Sequence, residues 1–194
     1  MAGLPKDVMA SLKRQTPRVL KKSFEKDFKV KFEAIKKEMI AEFLSHPVTV
    51  EILSGPTASN TSGTLGGVAN LYSFIGFVSG DDPIDPIIKL LESIDYVDYG
   101  ASKSGIGRSF RVNIPEGKDI FAITPMPWAT GRSWAKGIET GISGVGYLLN
   151  KSSKSSRSGV AIQTEKKVRS GRFNNVPYIS ALIQKYKKRF KELK

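Results

Sequence analysis

The stretch PRVLKKSFEKDFKVKFEAIKKEMIAEFLS, residues 17–45, decides the fold. Leu20, Phe24, Phe28, Phe32, Ile35, Met39 and Phe43 recur every three or four residues, which is the spacing of one face of a helix. Lys and Glu fill the other faces. Thr16 followed by Pro17 reads as an N-cap and a first-turn proline. At 1.5 Å per residue the helix spans roughly 40 Å, and its phenylalanine stripe requires an apolar partner surface. His46-Pro47 ends it, because the residue before proline disfavours helical geometry.

Working outward, Val48, Val50 and Ile52 alternate with polar residues and predict a strand over 48–53. Gly55-Pro56 opens a polar loop over 54–70, and Leu71 to Val78 predicts a second strand. Asp81-Asp82-Pro83-Ile84-Asp85-Pro86 reads as a turn into a short helix, with Asp85 as its cap. Residues 107–114 alternate and predict a strand, paired across the turn Pro115-Glu116-Gly117-Lys118 with 119–124. Ser133 to Glu139 predicts one or two helical turns. Residues 151–158, KSSKSSRS, read as a mobile basic linker, and 159–164 as a short strand. Pro177 starts a final helix with Ile179, Leu182, Ile183, Tyr186 and Phe190 on one side. Strands and helices do not alternate strictly. The expected class is therefore α+β, a long N-terminal amphipathic helix on a mainly antiparallel sheet with a C-terminal helix. Residues 1–16 read as an N-terminal extension and 17–194 as a single domain, with mobile loops near 54–70 and 150–158.

Composition narrows the chemistry. The chain has 194 residues, a hydrophobic fraction of 40%, no cysteine and one histidine. No apolar run reaches the ~18 residues of a membrane span, and the first 22 residues lack the apolar core of a secretory signal. Disulfides, thiolate metal sites and cysteine nucleophiles are excluded. His46 reads as structural. Asp81, Asp82 and Asp85 read as turn and cap residues rather than ligands for a hard cation, lacking the spacing of a calcium loop. No metal or cofactor is expected.

Two glycine-rich runs invite a phosphate reading. Neither SGTLGG (62–67) nor GISGVG (141–146) carries the lysine of a phosphate-binding loop, and neither runs from a strand into a helix as a dinucleotide fingerprint does. Without catalytic residues the chain reads as a non-enzyme. The loop over 54–70 reads instead as a Thr/Ser/Gly arm for assembly, separable from the fold.

The net charge of +13 is uneven. Residues 51–150 carry more acidic than basic residues, and the excess lies at the two ends. Lys166, Lys167, Arg169, Arg172, Lys188 and Arg189 form a cationic set suited to DNA phosphates or an acidic partner, without base-reading motifs.

The order of these features resembles the neck or tail-completion proteins of long-tailed bacteriophages. The residues that carry the resemblance are Thr61-Ser62-Gly63-Thr64-Leu65 after Gly55-Pro56, Trp134, Ile138-Glu139-Thr140-Gly141, and Phe173-Asn174-Asn175-Val176-Pro177-Tyr178-Ile179. The resemblance runs from about residue 24 to 190, and the Ser-rich 151–158 departs from it. It implies no catalysis. It implies a homo-oligomeric ring, a hexamer or dodecamer, at the head–tail junction. Such a ring contacts the portal or connector on one side and tail terminator, tube or sheath proteins on the other, around a lumen that DNA crosses. It further implies assembly in the host cytoplasm and residence in the virion. The residues alone leave a second reading open, a basic DNA-binding protein.

Overall fold

The computed structural model describes residues 5–67, 70–102, 107–142, 147–148, 162–163 and 173–193. Helix α1 (Lys6–Val19) leads almost without interruption into α2 (Lys21–Ser45). Helical structure thus begins at Lys6, inside the expected extension. Pro17 lies in the last turn of α1 rather than opening a helix. A proline has no N–H to donate, so the ladder loses a bond there. It is picked up by Leu20 N–H to Thr16 O at 3.0 Å and Phe24 N–H to Leu20 O at 2.9 Å.

The α2 stripe is buried unevenly. Phe32, Met39 and Phe43 are fully enclosed, whereas Leu20 remains 43% exposed. Phe28 stacks on Phe110 with ring centres 4.1 Å apart, and Phe32 meets Tyr96 edge-on at 4.9 Å and Phe190 at 5.5 Å. A fully enclosed ring such as Phe32 contributes about 1.5–3 kcal/mol through burial, and the half-buried Phe28 and Phe110 contribute less. The stripe thus ties α2 to strand β1 (Asp95–Ala101), strand β2 (Arg108–Asn113) and the C-terminal helix (Ile179–Lys191).

Three segments read as strands, 48–53, 71–78 and 119–124, are largely helical. Residues Pro47–Leu53 form α3, with the His46 ring nitrogen Nδ1 accepting from Val48 N–H at 3.3 Å and Pro47 in the first turn. Val48 and Ile52 fit either period. Thr49 and Glu51 are buried too, and together the four occupy a helical arc. Leu71–Ile75 forms α4 in place of the strand over 71–78. Asn70 caps its start by accepting from Ser73 N–H at 2.9 Å. Gly76 ends it in the left-handed region at φ 98°, with Phe77 N–H reaching back to Tyr72 O at 3.2 Å. That glycine-terminated wrap is a Schellman closure.

Helix α5 (Asp85–Glu92) lies where expected, although Asp85 is its first residue rather than its cap; Ile84 is the N-cap, and Asp82 Oδ1 accepts from Asp85 N–H at 3.1 Å in the turn before it. Strand β2 pairs antiparallel with β1, which precedes it, and not with 119–124. Residues Gly117–Ala122 instead form α6, opened by a capping box between Glu116 and Asp119. Then come β3 (Pro125–Met126) and β4 (Ala129–Ser133) as a ribbon, α7 (Trp134–Thr140) capped by Ser133, and the pair β5 (Tyr147–Leu148) and β6 (Ile162–Gln163). Helix α8 (Ile179–Lys191) closes the fold. The class is α+β, and the β-structure is divided among two-stranded antiparallel ribbons instead of one sheet. Among the described residues Trp134, Tyr186, Phe32, Phe43 and Met39 are the largest fully buried side chains, and they centre the core between α2, α7 and α8.

Candidate functional site

The loop after α3 is organised by one carboxylate. Glu51 has no exposed surface. It accepts from Asn60 Nδ2 at 3.0 and 3.1 Å, from Ser62 N–H at 2.9 Å and from Leu71 N–H at 2.8 Å. Asn60 Oδ1 in turn accepts from Leu65 N–H at 3.0 Å and Gly67 N–H at 3.1 Å. Asn70 Nδ2 ties the loop's beginning to its end through Gly55 O and Ala58 O. Buried carboxyl oxygens require donors, and here the backbone N–H of Ser62 in the loop and that of Leu71 at the start of α4 supply two of them. Of the loop residues expected to make contacts, Thr64 is buried, Ser62 and Leu65 are half-buried, and Thr61 and Gly63 face solvent.

The segments that carry the resemblance meet at this loop. Asn174 N–H donates to Thr64 O at 2.9 Å, and Asn174 Nδ2 to Gly63 O at 3.1 Å. Val176 N–H donates to Ile138 O at 3.3 Å. Glu139 receives Ser180 N–H and Ser180 Oγ–H, each at 2.6 Å, and so caps the start of α8. Tyr178 packs at a tilt against His46, and its hydroxyl meets Thr49 Oγ1 at 2.9 Å in the interior. Burial holds the Tyr178 phenol far above its ordinary pKa. Burial also depresses the pKa of His46, against a hydrogen bond to Pro177 O and the nearby Glu42, which act the other way. His46 is thereby a neutral packing and capping residue.

The cationic set divides. Lys166, Lys167, Arg169 and Arg172 lie outside the described residues. Arg189 is engaged by Glu38, and Lys185 by Glu42 at 2.6 Å, so both turn back onto α2. Hydrogen bonds from Lys185 and from the buried Tyr186 hydroxyl keep the Glu42 carboxyl below its ordinary pKa. Lys188 is exposed. Lys187 and Lys191 stand with Lys31 and Arg111 on the rim of an open groove of about 1050 Å³, whose floor includes Phe24, Phe28, Phe110 and Phe190.

The acidic turn does local work. Asp81 Oδ2 accepts from Val78 N–H at 2.8 Å, and Asp85 pairs with Lys89 at 2.6 Å. Among the described residues no cluster of His, Cys, Asp or Glu is arranged for a metal ion, and no helix is long and apolar enough to cross a membrane. The sequence reading did not single out Glu51, Asn60 or Asn174. The available signal was a carboxylate at Glu51 inside the otherwise uncharged run PVTVEIL. No protein-family model, no curated protein and no solved structure matches this chain.

Proposed function

We propose that this chain is a structural, non-catalytic protein of a long-tailed bacteriophage. It forms a homo-oligomeric neck or tail-completion ring that joins the portal-connector complex to the tail. One observation carries the reading. The three segments behind the resemblance, 61–65, 138–141 and 173–179, are far apart in sequence and form one hydrogen-bonded cluster. Such a cluster gives the loop a rigid base on the core, with Thr61 and Gly63 at its surface to meet a neighbour. The partners are further copies of the chain, the portal or connector on one side, and terminator, tube or sheath proteins on the other. DNA crosses the lumen. Sizing of the purified protein by light scattering, followed by electron microscopy, tests the proposal. A closed ring is the expected result, and a strictly monomeric protein at all concentrations would overturn it.

A second reading, a basic DNA-binding protein, draws on Lys187, Lys188 and Lys191, which lie exposed on α8. It predicts a monomer whose DNA affinity falls steeply with salt.

A further inference from the structure

Helix α1 is amphipathic, and no described residue outside it encloses its apolar face. Val8, Met9, Leu12 and Val19 fall within an arc of about 100° at 3.6 residues per turn. Val8, Leu12 and Val19 are 39%, 43% and 77% exposed. Its remaining faces carry Lys6, Lys13 and Arg14 against a single acidic residue, Asp7. An apolar helical face in water is a docking surface in want of a partner.

The chain itself carries a partly apolar surface of opposite charge. No Lys or Arg stands between Lys37 and Lys89, although the net charge is +13. Within that span lies a cleft of about 310 Å³, lined by Leu53, Pro56, Tyr72, Gly80, Asp82 and Ile84. Beside it Val50, Leu53 and Val78 are 42%, 52% and 39% exposed. Val50 and Leu53 share one face of α3, being three residues apart. Asp81 and Asp82 stand at its rim. The larger groove is less suited to the same helix, because its lining carries Lys31, Arg108, Arg111, Lys187 and Lys191 against only Asp27 and Glu116, a positive excess that disfavours a basic partner.

A chain cannot place its own α1 in its own cleft. Helix α3 follows the C-terminal end of α2, whereas α1 continues from the N-terminal end through the bonds across Leu20. The 25 residues of α2 separate the two, a length of about 37 Å. We infer that α1 of one copy docks by its apolar face into the α3 cleft of the next, with its basic residues toward Asp81 and Asp82. This rests on the self-assembling reading above. The contact is head-to-tail, because the two patches differ, and such contacts generate rings when the rotation closes. A single short helix covers less than the roughly 800 Å² per partner of a standard interface. Closure holds each copy on two sides and compensates.

The native chain lacks cysteine, so site-directed cross-linking reads the contact directly. Full-length Leu12→Cys and full-length Leu53→Cys are treated with a short bismaleimide. The expected result is no 12-to-12 or 53-to-53 product from either alone, a dimer from their mixture, and a ladder from the doubly substituted chain. Leu12→Asp and Leu53→Asp, both at exposed positions, are expected to keep the native circular dichroism and to convert the oligomer to monomer. An oligomer insensitive to both Asp variants and without the 12-to-53 product overturns this contact and leaves the ring reading standing. A 12-to-12 product from Leu12→Cys alone overturns the head-to-tail arrangement. A wild-type chain that never associates overturns both.

Discussion

Glu51 shows how one side chain sets the path of a whole loop. Every group that touches its carboxylate is a donor: the Asn60 amide, Ser62 N–H and Leu71 N–H. Glu51→Ala strands these donors in the interior, at about 1–3 kcal/mol for each group left unsatisfied. The expected loss is about 3 kcal/mol or more in denaturant unfolding. Glu51→Gln is expected to lose nearly as much, since half of its new amide would point a donor at donors. His46 makes a second residue-scale case. Its folded pKa lies below the ordinary 6.5 because the ring is desolvated. The unfolded chain therefore binds the proton first as pH falls, and stability declines as pH drops from about 6.5 toward the depressed folded value. As the only histidine, it is expected to be the chief source of pH dependence between pH 7 and 5. Unfolding curves across that range check this: His46→Gln is expected to flatten the dependence, and an unchanged slope would contradict the assignment.

At the scale of elements, ends matter more than interiors. Helix α4 is five residues long, too short to form on propensity alone, and exists because Asn70 caps it and Gly76 closes it. A Cβ added at Gly76 would stand 2.8 Å from Trp128 Cδ1, at a φ of +98°. The same indole donates its Nε1–H to Ile75 O at 2.7 Å. Gly76→Ala is accordingly expected to cost about 2 kcal/mol or more, from backbone strain and overpacking together. A shift in the tryptophan emission of the folded protein should accompany it. Helix α8 depends on a cap supplied by another helix, Glu139 of α7. Glu139→Ala is expected to cost about 1–2 kcal/mol. Faster hydrogen exchange at the amides of Ser180 and its neighbours is the corresponding readout.

For the whole molecule, the loop over 54–70 is no detachable arm. It satisfies Glu51 from within, and the segment before α8 is pinned to it through Asn174. Deleting 57–68 is therefore expected to lower the melting temperature sharply, because Glu51 and Leu71 lose their arrangement together. A deletion mutant as stable as the native chain would contradict this account. A cleaner probe of assembly is Thr61→Arg, since Thr61 is exposed. Its expected effect is an unchanged melting temperature with a loss of oligomer in sizing experiments. Unimpaired assembly would remove the loop from the contact surface.

The sequence by itself determined the elements whose patterns are long or punctuated. The stripe from Phe28 to Phe43 marked α2, Ile179 to Phe190 marked α8, the Asp-Pro steps marked the start of α5, and Ser133 marked that of α7. With the strand read over 107–114, observed as β2, they account for the α+β class. In these segments the apolar period runs over several turns or a cap stands in plain view, so local physics suffices. Tertiary structure decided the short segments. Val48, Val50 and Ile52 alternate as a strand would, yet the burial of Thr49 and Glu51 made the segment helical. Residues 71–78 read as a strand until Asn70 and Gly76 closed a single helical turn. β2 took β1 as its partner rather than 119–124. The site itself was legible only as three separate motifs. Their convergence depends on hydrogen bonds between residues more than a hundred positions apart, Asn174 to Gly63 among them. No local pattern encodes such a bond, because its donor and acceptor meet only once the core has placed α3, α7 and α8 together.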